Sequence, residues 1–349
     1  MKKEITLPEG VTLLITISVL VLFFMIAIPV VVINSADKSN SKEAPTKPPE
    51  VVTEKATTIE MDGSETIKVF ITNENKVIEV PLEEYVQSVV SGEMPASFEP
   101  EALKAQAIAA RTYVATKKLK QCEKAKSVGA YVCDTTHCQV YLTKESRMNK
   151  WSEADKESNW KKIEEAVSAT KGQVLTYDGN LVMYPQFFAT SSGKTENSVD
   201  VFSNSVPYLV STESSGEEIA PKFTSEKPIN IDEFINTINS SYPNASLSAD
   251  NLSGNIEIIE RSEAGGVKQI RVGKEKIKGT DFRHLLKLNS TNFQFEVAGN
   301  EVVFKCKGYG HGVGMSQWGA NVMAKEGKGY EEILAHYYTG IELKELVFK

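Results

Sequence analysis

Gly308-Tyr309-Gly310-His311-Gly312-Val313-Gly314-Met315-Ser316-Gln317-Trp318-Gly319-Ala320 sets glycine at every second position from 308 to 314, with one histidine in the middle. Glycine gives up side-chain packing and carries a large conformational entropy cost. A folded chain accepts such a run only where backbone bends sharply or lies close to something else. Two readings stand open: a tight turn feeding a helix, or a cleft floor on which His311 stands and a bulky ligand approaches the main chain. The G-x-G-x-x-G spacing is missing and no Gly-Lys-Ser/Thr follows, which excludes a dinucleotide fingerprint and a P-loop.

Working outward from this run, hairpins and helices alternate. Downstream, helices are expected at Met315–Lys325 and Tyr330–Tyr338, then a terminal strand. Upstream, Phe293–Val297 and Glu301–Cys306 flank Ala298-Gly299-Asn300, a hairpin. Between 223 and 288 the pattern gives a helix over Ile231–Ile238, strands around Gly265-Gly266 and a short helix over Phe282–Leu288. Gln173–Tyr177 and Leu181–Tyr184 flank Asp178-Gly179-Asn180, and a polar helix over Asn159–Lys171 precedes them. Thr66–Thr72 and Lys76–Val80 make the first hairpin. Pro81 then opens a helix as an N1 proline, with an apolar stripe of Leu82, Tyr85, Val86, Val89 and Val90. It must stop near Gly92, because Met94 precedes Pro95. An alanine-rich helix follows from Pro100 to about Lys120. The mixture predicts an α+β fold, a single domain over 61–349 with a central cleft.

The rest of the chain is different. Val11–Ile33 carries no charged residue. At about 1.5 Å per residue it crosses the roughly 30 Å hydrocarbon layer, so an uncleaved membrane anchor is expected there behind a short tail, residues 1–10. Residues 34–60 are polar and punctuated by Pro45, Pro48 and Pro49, a flexible tether. Lys2 and Lys3 on one side and Lys38, Lys42 and Lys47 on the other leave orientation unassigned by charge. The 349 residues are 24% charged with a formal net charge of -7 and no basic block, which argues against nucleic acid as a partner.

Three clusters could carry chemistry. Glu93, in Gly92-Glu93-Met94-Pro95, stands where a helix ends. The negative dipole pole nudges its pKa up, and a carboxyl kept protonated can serve as a general acid; a solvated helix-end glutamate is the bland alternative. Thr190-Ser191-Ser192-Gly193-Lys194-Thr195-Glu196 crowds hydroxyls beside a glycine after an apolar strand. Ser191-x-x-Lys194 formally matches S-x-x-K, but Gly193 reads as loop and no partner motif completes it. Contact with sugar hydroxyls and a simple polar turn both remain. Cys133, His137 and Cys138 suit a tetrahedral Zn²⁺ site with a fourth ligand to be found. A Cys133–Cys138 or Cys122–Cys133 disulfide and free thiols compete with it. His336 and His284 read as ordinary helix histidines, and Cys306 as a small buried hydrophobe.

Four runs in order, Gly92–Pro95 with its alanine-rich helix, Cys133–Tyr141, Phe188–Glu196, and Gly308–Ala320 with the tail Ile333–Gly340, resemble the stage II sporulation protein D family. The resemblance implies a membrane-anchored, extracytoplasmic lytic transglycosylase that cuts peptidoglycan glycan strands during forespore engulfment, between the mother-cell and forespore membranes. Glu93 is then the catalytic acid/base. Ser191, Ser192, Gly193, Lys194, Gly310, His311 and Gly312 line the substrate cleft, and Cys133, His137 and Cys138 hold a structural zinc. No organic cofactor is implied; an amidase that strips stem peptides and a membrane scaffold are the implied protein partners. In the pattern of those family members that hold zinc, a further histidine lies six residues before the first cysteine, where this chain has Ser127. A non-catalytic wall-binding or amidase-enhancer module is the second reading, and a zinc hydrolase the third.

Overall fold

The computed structural model describes residues 57–349. The expected tail and anchor, and the tether up to residue 56, lie outside them. Among the described residues no helix is long and apolar enough to cross a membrane. The expected tether overreaches at its end, because Thr58–Met61 is a strand running parallel to Ile341–Phe348.

The mixed α+β expectation holds. Thr66–Ile71 pairs with Lys76–Pro81, Ile67 facing Val80 and Val69 facing Ile78. Pro81 caps the next helix rather than entering it, with extended backbone. That helix, Leu82–Glu93, ends where Met94 turns extended ahead of Pro95. The second helix, Pro100–Leu119, is buried along most of its length. Its alanines let the helices Leu82–Glu93 and Lys156–Ala169 and the strand Gln173–Tyr177 pack closely around it. Arg111 sits at its centre, fully buried, and holds Glu83 through two bonds of 2.9 and 2.6 Å and the Gln173 carbonyl at 3.1 Å.

Among the described residues two large apolar cores form, beside a small cluster of Cys122, Ala125, Ala130 and Cys133. The first gathers the helices above, the sheet of Thr58–Met61, Ile341–Phe348, Gln173–Tyr177 and Asn180–Leu181, and the C-terminal helices Gln317–Lys325 and Tyr330–Tyr337. The second is formed within 229–306, by helix Ile231–Ser241, helix Gly279–Leu285 and two three-stranded sheets. Its Phe234, Phe282, Phe293 and Phe304 rings stack and cross one another. This second core therefore interrupts the first in sequence.

Several boundaries shift. Helix Gly279–Leu285 begins three residues before the expected Phe282. Of the expected Leu181–Tyr184 strand only Leu181 falls in the observed strand, Asn180–Leu181, which begins in the expected turn. Met315–Ser316 is a strand, not the first turn of a helix, and pairs in parallel with Phe187–Phe188. Thr224–Asn230, which has no clear strand signature, forms a full strand against Glu301–Lys307.

The glycine run is explained by its packing against the segment that carries the strand Phe187–Phe188. Gly308, Gly310, Gly312 and Gly314 all have positive φ, between 79° and 122°. The run lies against residues 186–196. A Cβ on Gly310 would come within 2.8 Å of Phe188 Cβ, and one on Gly314 would collide with the Gln186 carbonyl. The close approach expected of a ligand is made by the chain itself.

Candidate functional site

Glu93 is the last residue of its helix and is half-buried. Its Oε1 accepts a hydrogen bond from the Val140 N–H at 2.7 Å, and its Oε2 lies 3.5 Å from Gln317 Nε2. Burial raises its pKa, and those two donors oppose the rise without cancelling it. The upward direction agrees with the expectation, but desolvation is the main cause. The carboxyl opens into a cavity of about 240 Å³ that is also lined by Tyr113, His137, Cys138, Phe187 and His311.

His311 stands on the glycine run between the rings of Phe188 and Phe202, at centroid distances of 5.6 and 5.5 Å. Its Nδ1 accepts from the Val313 N–H at 3.1 Å, so the ring proton sits on Nε2. Burial pulls its pKa down to about 4, with the charge of Arg283 adding to the effect. The imidazole is therefore neutral at physiological pH.

The structure brings Glu93 and His311 to one cavity and places the hydroxyl turn elsewhere. Ser191 is buried; its N–H donates to Glu217 Oε2 at 2.8 Å and its Oγ accepts from the Gly193 N–H at 3.0 Å. Ser192 Oγ takes a hydrogen bond from Asn292 Nδ2, at 3.0 Å. Lys194 pairs with Glu263 and with Glu213. Gly312 packs on Glu196, and Gly310 borders a neighbouring cavity. The turn's backbone is nonetheless bolted to the glycine run, through the Thr190–Tyr309 bridge.

Cys133, His137 and Cys138 converge as expected, and Cys122 joins them. The four ligand atoms all lie within 4.8 Å of one another. Cys133 and Cys138 Sγ are 3.6 Å apart, and His137 Nδ1 is 3.3 Å from Cys122 Sγ and 3.7 Å from each of the other two. Metal–sulfur bonds of about 2.3 Å and metal–nitrogen bonds of about 2.0–2.1 Å at tetrahedral angles put ligand atoms roughly 3.5–3.8 Å apart, so the set fits a zinc-sized ion. All four cysteines of the chain are free. The fourth candidate ligand is thus Cys122, eleven residues before Cys133, and position 127, where the resemblance puts a histidine, is a serine.

This cluster is tied to Glu93. The loop from Cys133 leads through Gln139, held by the buried Tyr85 hydroxyl at 3.1 Å, to Val140, whose N–H binds the Glu93 carboxylate. Sequence reasoning missed Gln317, Cys122 and Glu217. Glu217 is fully buried and accepts from Ser214 Oγ, Ser316 Oγ and the Ser191 N–H at 2.5, 2.6 and 2.8 Å. It fixes the hydroxyl turn to the helix that delivers Gln317.

A mixed α+β body with one desolvated carboxyl and one neutral imidazole on the same cavity wall, braced by a four-ligand cluster, defines the class of site. Residues 71–177 match the family described as SpoIID, Stage II sporulation protein. The chain is 37% identical over 279 residues to stage II sporulation protein D of Bacillus amyloliquefaciens, covering 80% of this chain and 78% of that protein. It is 37% identical over 290 residues to stage II sporulation protein D of Bacillus subtilis, covering 81% and 82%. A third relative, the amidase enhancer of Bacillus subtilis, is 31% identical over 307 residues, covering 74% of this chain and 40% of its own length. The chain belongs to the stage II sporulation protein D family, a family of sporulation proteins.

Proposed function

We propose that this protein is a lytic transglycosylase that cleaves peptidoglycan glycan strands between N-acetylmuramic acid and N-acetylglucosamine. The observation that carries the reading is Glu93: a carboxyl whose pKa is raised by burial, on the wall of a cavity, with both oxygens oriented by donors. A transglycosylase needs one acid/base group rather than the two carboxylates of most glycosidases. Protonated Glu93 gives its proton to the bridging oxygen as the glycosidic bond breaks. The resulting carboxylate then takes the proton of the muramic C6 hydroxyl while O6 closes on C1, leaving a 1,6-anhydro ring. Water is not consumed and Glu93 ends protonated. Such acid/base work contributes on the order of 10² to 10⁴ in rate.

The Val140 N–H and Gln317 amide keep the carboxyl in place through both steps. His311 stays neutral and offers the groove a polar edge without a charge. Cys122, Cys133, His137 and Cys138 would hold a zinc ion, which when bound supplies a structural cross-link. Four protein ligands leave no open position for a reactive water, which speaks against a zinc hydrolase. By closing residues 122–138, the cluster steadies the segment that presents Val140.

In the cell we place this activity outside the membrane, held there by Val11–Ile33 and acting on the wall that separates mother cell and forespore, with an amidase and a membrane scaffold as partners. The second reading, a wall-binding module that assists an amidase, is favoured by the likeness to the amidase enhancer. Incubating wild-type and Glu93→Ala protein with glycan strands lacking stem peptides separates the two. Release of anhydro-muramic sugars by the wild type alone supports the enzyme. Equal release by both, or by neither, removes Glu93 from the chemistry.

A further inference from the structure

The Glu93 cavity, about 240 Å³, is smaller than the roughly 300–1,000 Å³ of ordinary ligand sites, so a sugar chain bound at Glu93 must run beyond it. Thr136 and His311 line it, and both also line a second cavity of about 840 Å³. This second cavity lies where the two cores meet. Phe202 and Tyr309 come from one side, and Arg283, Lys287 and Asn289 from the other.

Arg283 is the unusual group there. Its Nε is buried without a hydrogen-bond partner, and its Nη1 has only His284 Nε2 beside it, at 3.5 Å. Arg111 and Arg271 hold Glu83 and Glu257, and Arg261 holds two carbonyls; Arg147 also buries its Nε without a partner, but its guanidinium lies over the Trp151 ring, whereas Arg283 faces the cavity. Among the described residues no carboxylate pairs with Arg283. Asp281 borders the same cavity but forms no ion pair with it, and Lys287, the other lysine or arginine lining the cavity, carries the same sign of charge and cannot neutralise it. Lys287 has φ of 52°, a backbone region that glycine ordinarily fills, so a long cationic side chain is kept at a position that disfavours it. A half-buried guanidinium with an unmet donor is expensive unless an anion arrives.

We propose that this cavity is an anion subsite of the groove, in which Arg283, assisted by Lys287, takes a carboxylate carried by the wall polymer: the lactyl carboxylate of a muramic acid whose stem peptide is gone. The inference rests on the glycan reading of Glu93. A free lactyl group is ionised and offers two oxygens to the guanidinium fork. With the peptide attached it is a neutral amide with a bulky tail, and the fork loses its partner. The site would thus select stripped strands by charge as well as by size. A carboxylate of the stem peptide itself has the same chemistry, and the test separates the two sources.

Full-length Glu93→Gln protein, which leaves strands intact, is titrated by calorimetry with four probes. These are a glucosaminyl-muramyl oligosaccharide with free lactyl carboxylates, the same oligosaccharide amidated, a chito-oligosaccharide of equal length, and the free stem peptide. The subsite predicts that the carboxylate form binds roughly ten- to a hundredfold tighter than the other three, the range expected of a charge-assisted hydrogen bond. Adding Arg283→Met brings that ratio near one with affinity for the amidated sugar unchanged, and Arg283→Lys keeps part of it. Lys287→Met, an exposed change, lowers it less. No preference in the Glu93→Gln protein, a preference that survives Arg283→Met, or no sugar binding at all overturns the proposal. Tighter binding of the stem peptide, lost in Arg283→Met, overturns the lactyl assignment. Cleavage by the wild-type protein is scored separately: cutting without carboxylate preference refutes the subsite alone, and preference without cutting refutes the transglycosylase alone.

Discussion

Glu93 was visible in the sequence because its signals are local. A helix stripe, a Gly92 and a Met94-Pro95 stop place one carboxyl at a helix end, and no distant residue is needed to see it. What holds that carboxyl was not visible, since Val140 and Gln317 arrive from far along the chain. The raised pKa has a consequence for stability. Folding favours the protonated form, so Glu93 adds stability below its ordinary range near 4.3 and takes it away as pH rises through the higher folded value. Glu93→Gln is therefore expected to raise the melting midpoint at pH 7, with the gain vanishing as pH falls toward 4. A midpoint lowered at pH 7 would count against a strained, desolvated carboxyl. The rate limb on the basic side belongs to the same group, since loss of its proton removes the acid. His311 makes no limb between pH 5 and 8: its ¹⁵N or ¹³C signals should titrate near pH 4, and titration close to 6.5, the unperturbed imidazole value, would show an open, solvated ring.

At the scale of elements, the glycine run left two readings open, a tight turn feeding a helix and a cleft floor approached by a ligand. Residues 186–196, not a ligand, lie against it. Two-residue strands such as Phe187–Phe188 and Met315–Ser316 have too few positions to show a period. Thr224–Asn230 hid for another reason. It is polar and carries Pro228, which a sheet tolerates because this strand is an edge beside Glu301–Lys307. Cys122 was overlooked as a ligand because a short helix, Glu123–Lys126, folds an eleven-residue gap back on itself. Cys122→Ser is expected to lower bound zinc below one per chain and to reduce the midpoint, and chelation should do the same to the wild type. Full zinc occupancy in the variant would exclude the fourth ligand. Gly319 tests the buried glutamate network: a Cβ there would strike the Tyr337 hydroxyl and lie 2.5 Å from Ser214 Oγ and 2.7 Å from Glu217 Oε1. Gly319→Ala should destabilise by about 2–4 kcal/mol in urea melts. A change within about 0.5 kcal/mol, typical of surface sites, would mean that the network yields easily.

The described residues form two large apolar cores in one mixed fold, the second formed within residues 229–306 and interrupting the first. Composition and hairpin spacing made the α+β class legible. The division did not show, because nothing in the linear pattern marks where a chain leaves one core and returns to it. Removing Arg111 should affect the whole first core, since its partner Glu83 and the carbonyls of Gln173 and Val167 would lose their cation together. Arg111→Ala is expected to cost about 3–5 kcal/mol, read as a lowered denaturation midpoint, and a loss below about 1 kcal/mol would show the buried pair to be dispensable. The central claim is that one carboxyl breaks the glycan without water. Digesting peptide-free strands in H₂¹⁸O and weighing the released sugars tests it most directly. The account requires 1,6-anhydro ends with no ¹⁸O, formed by wild type and absent with Glu93→Gln; reducing ends carrying ¹⁸O, or anhydro ends from both proteins, would contradict it.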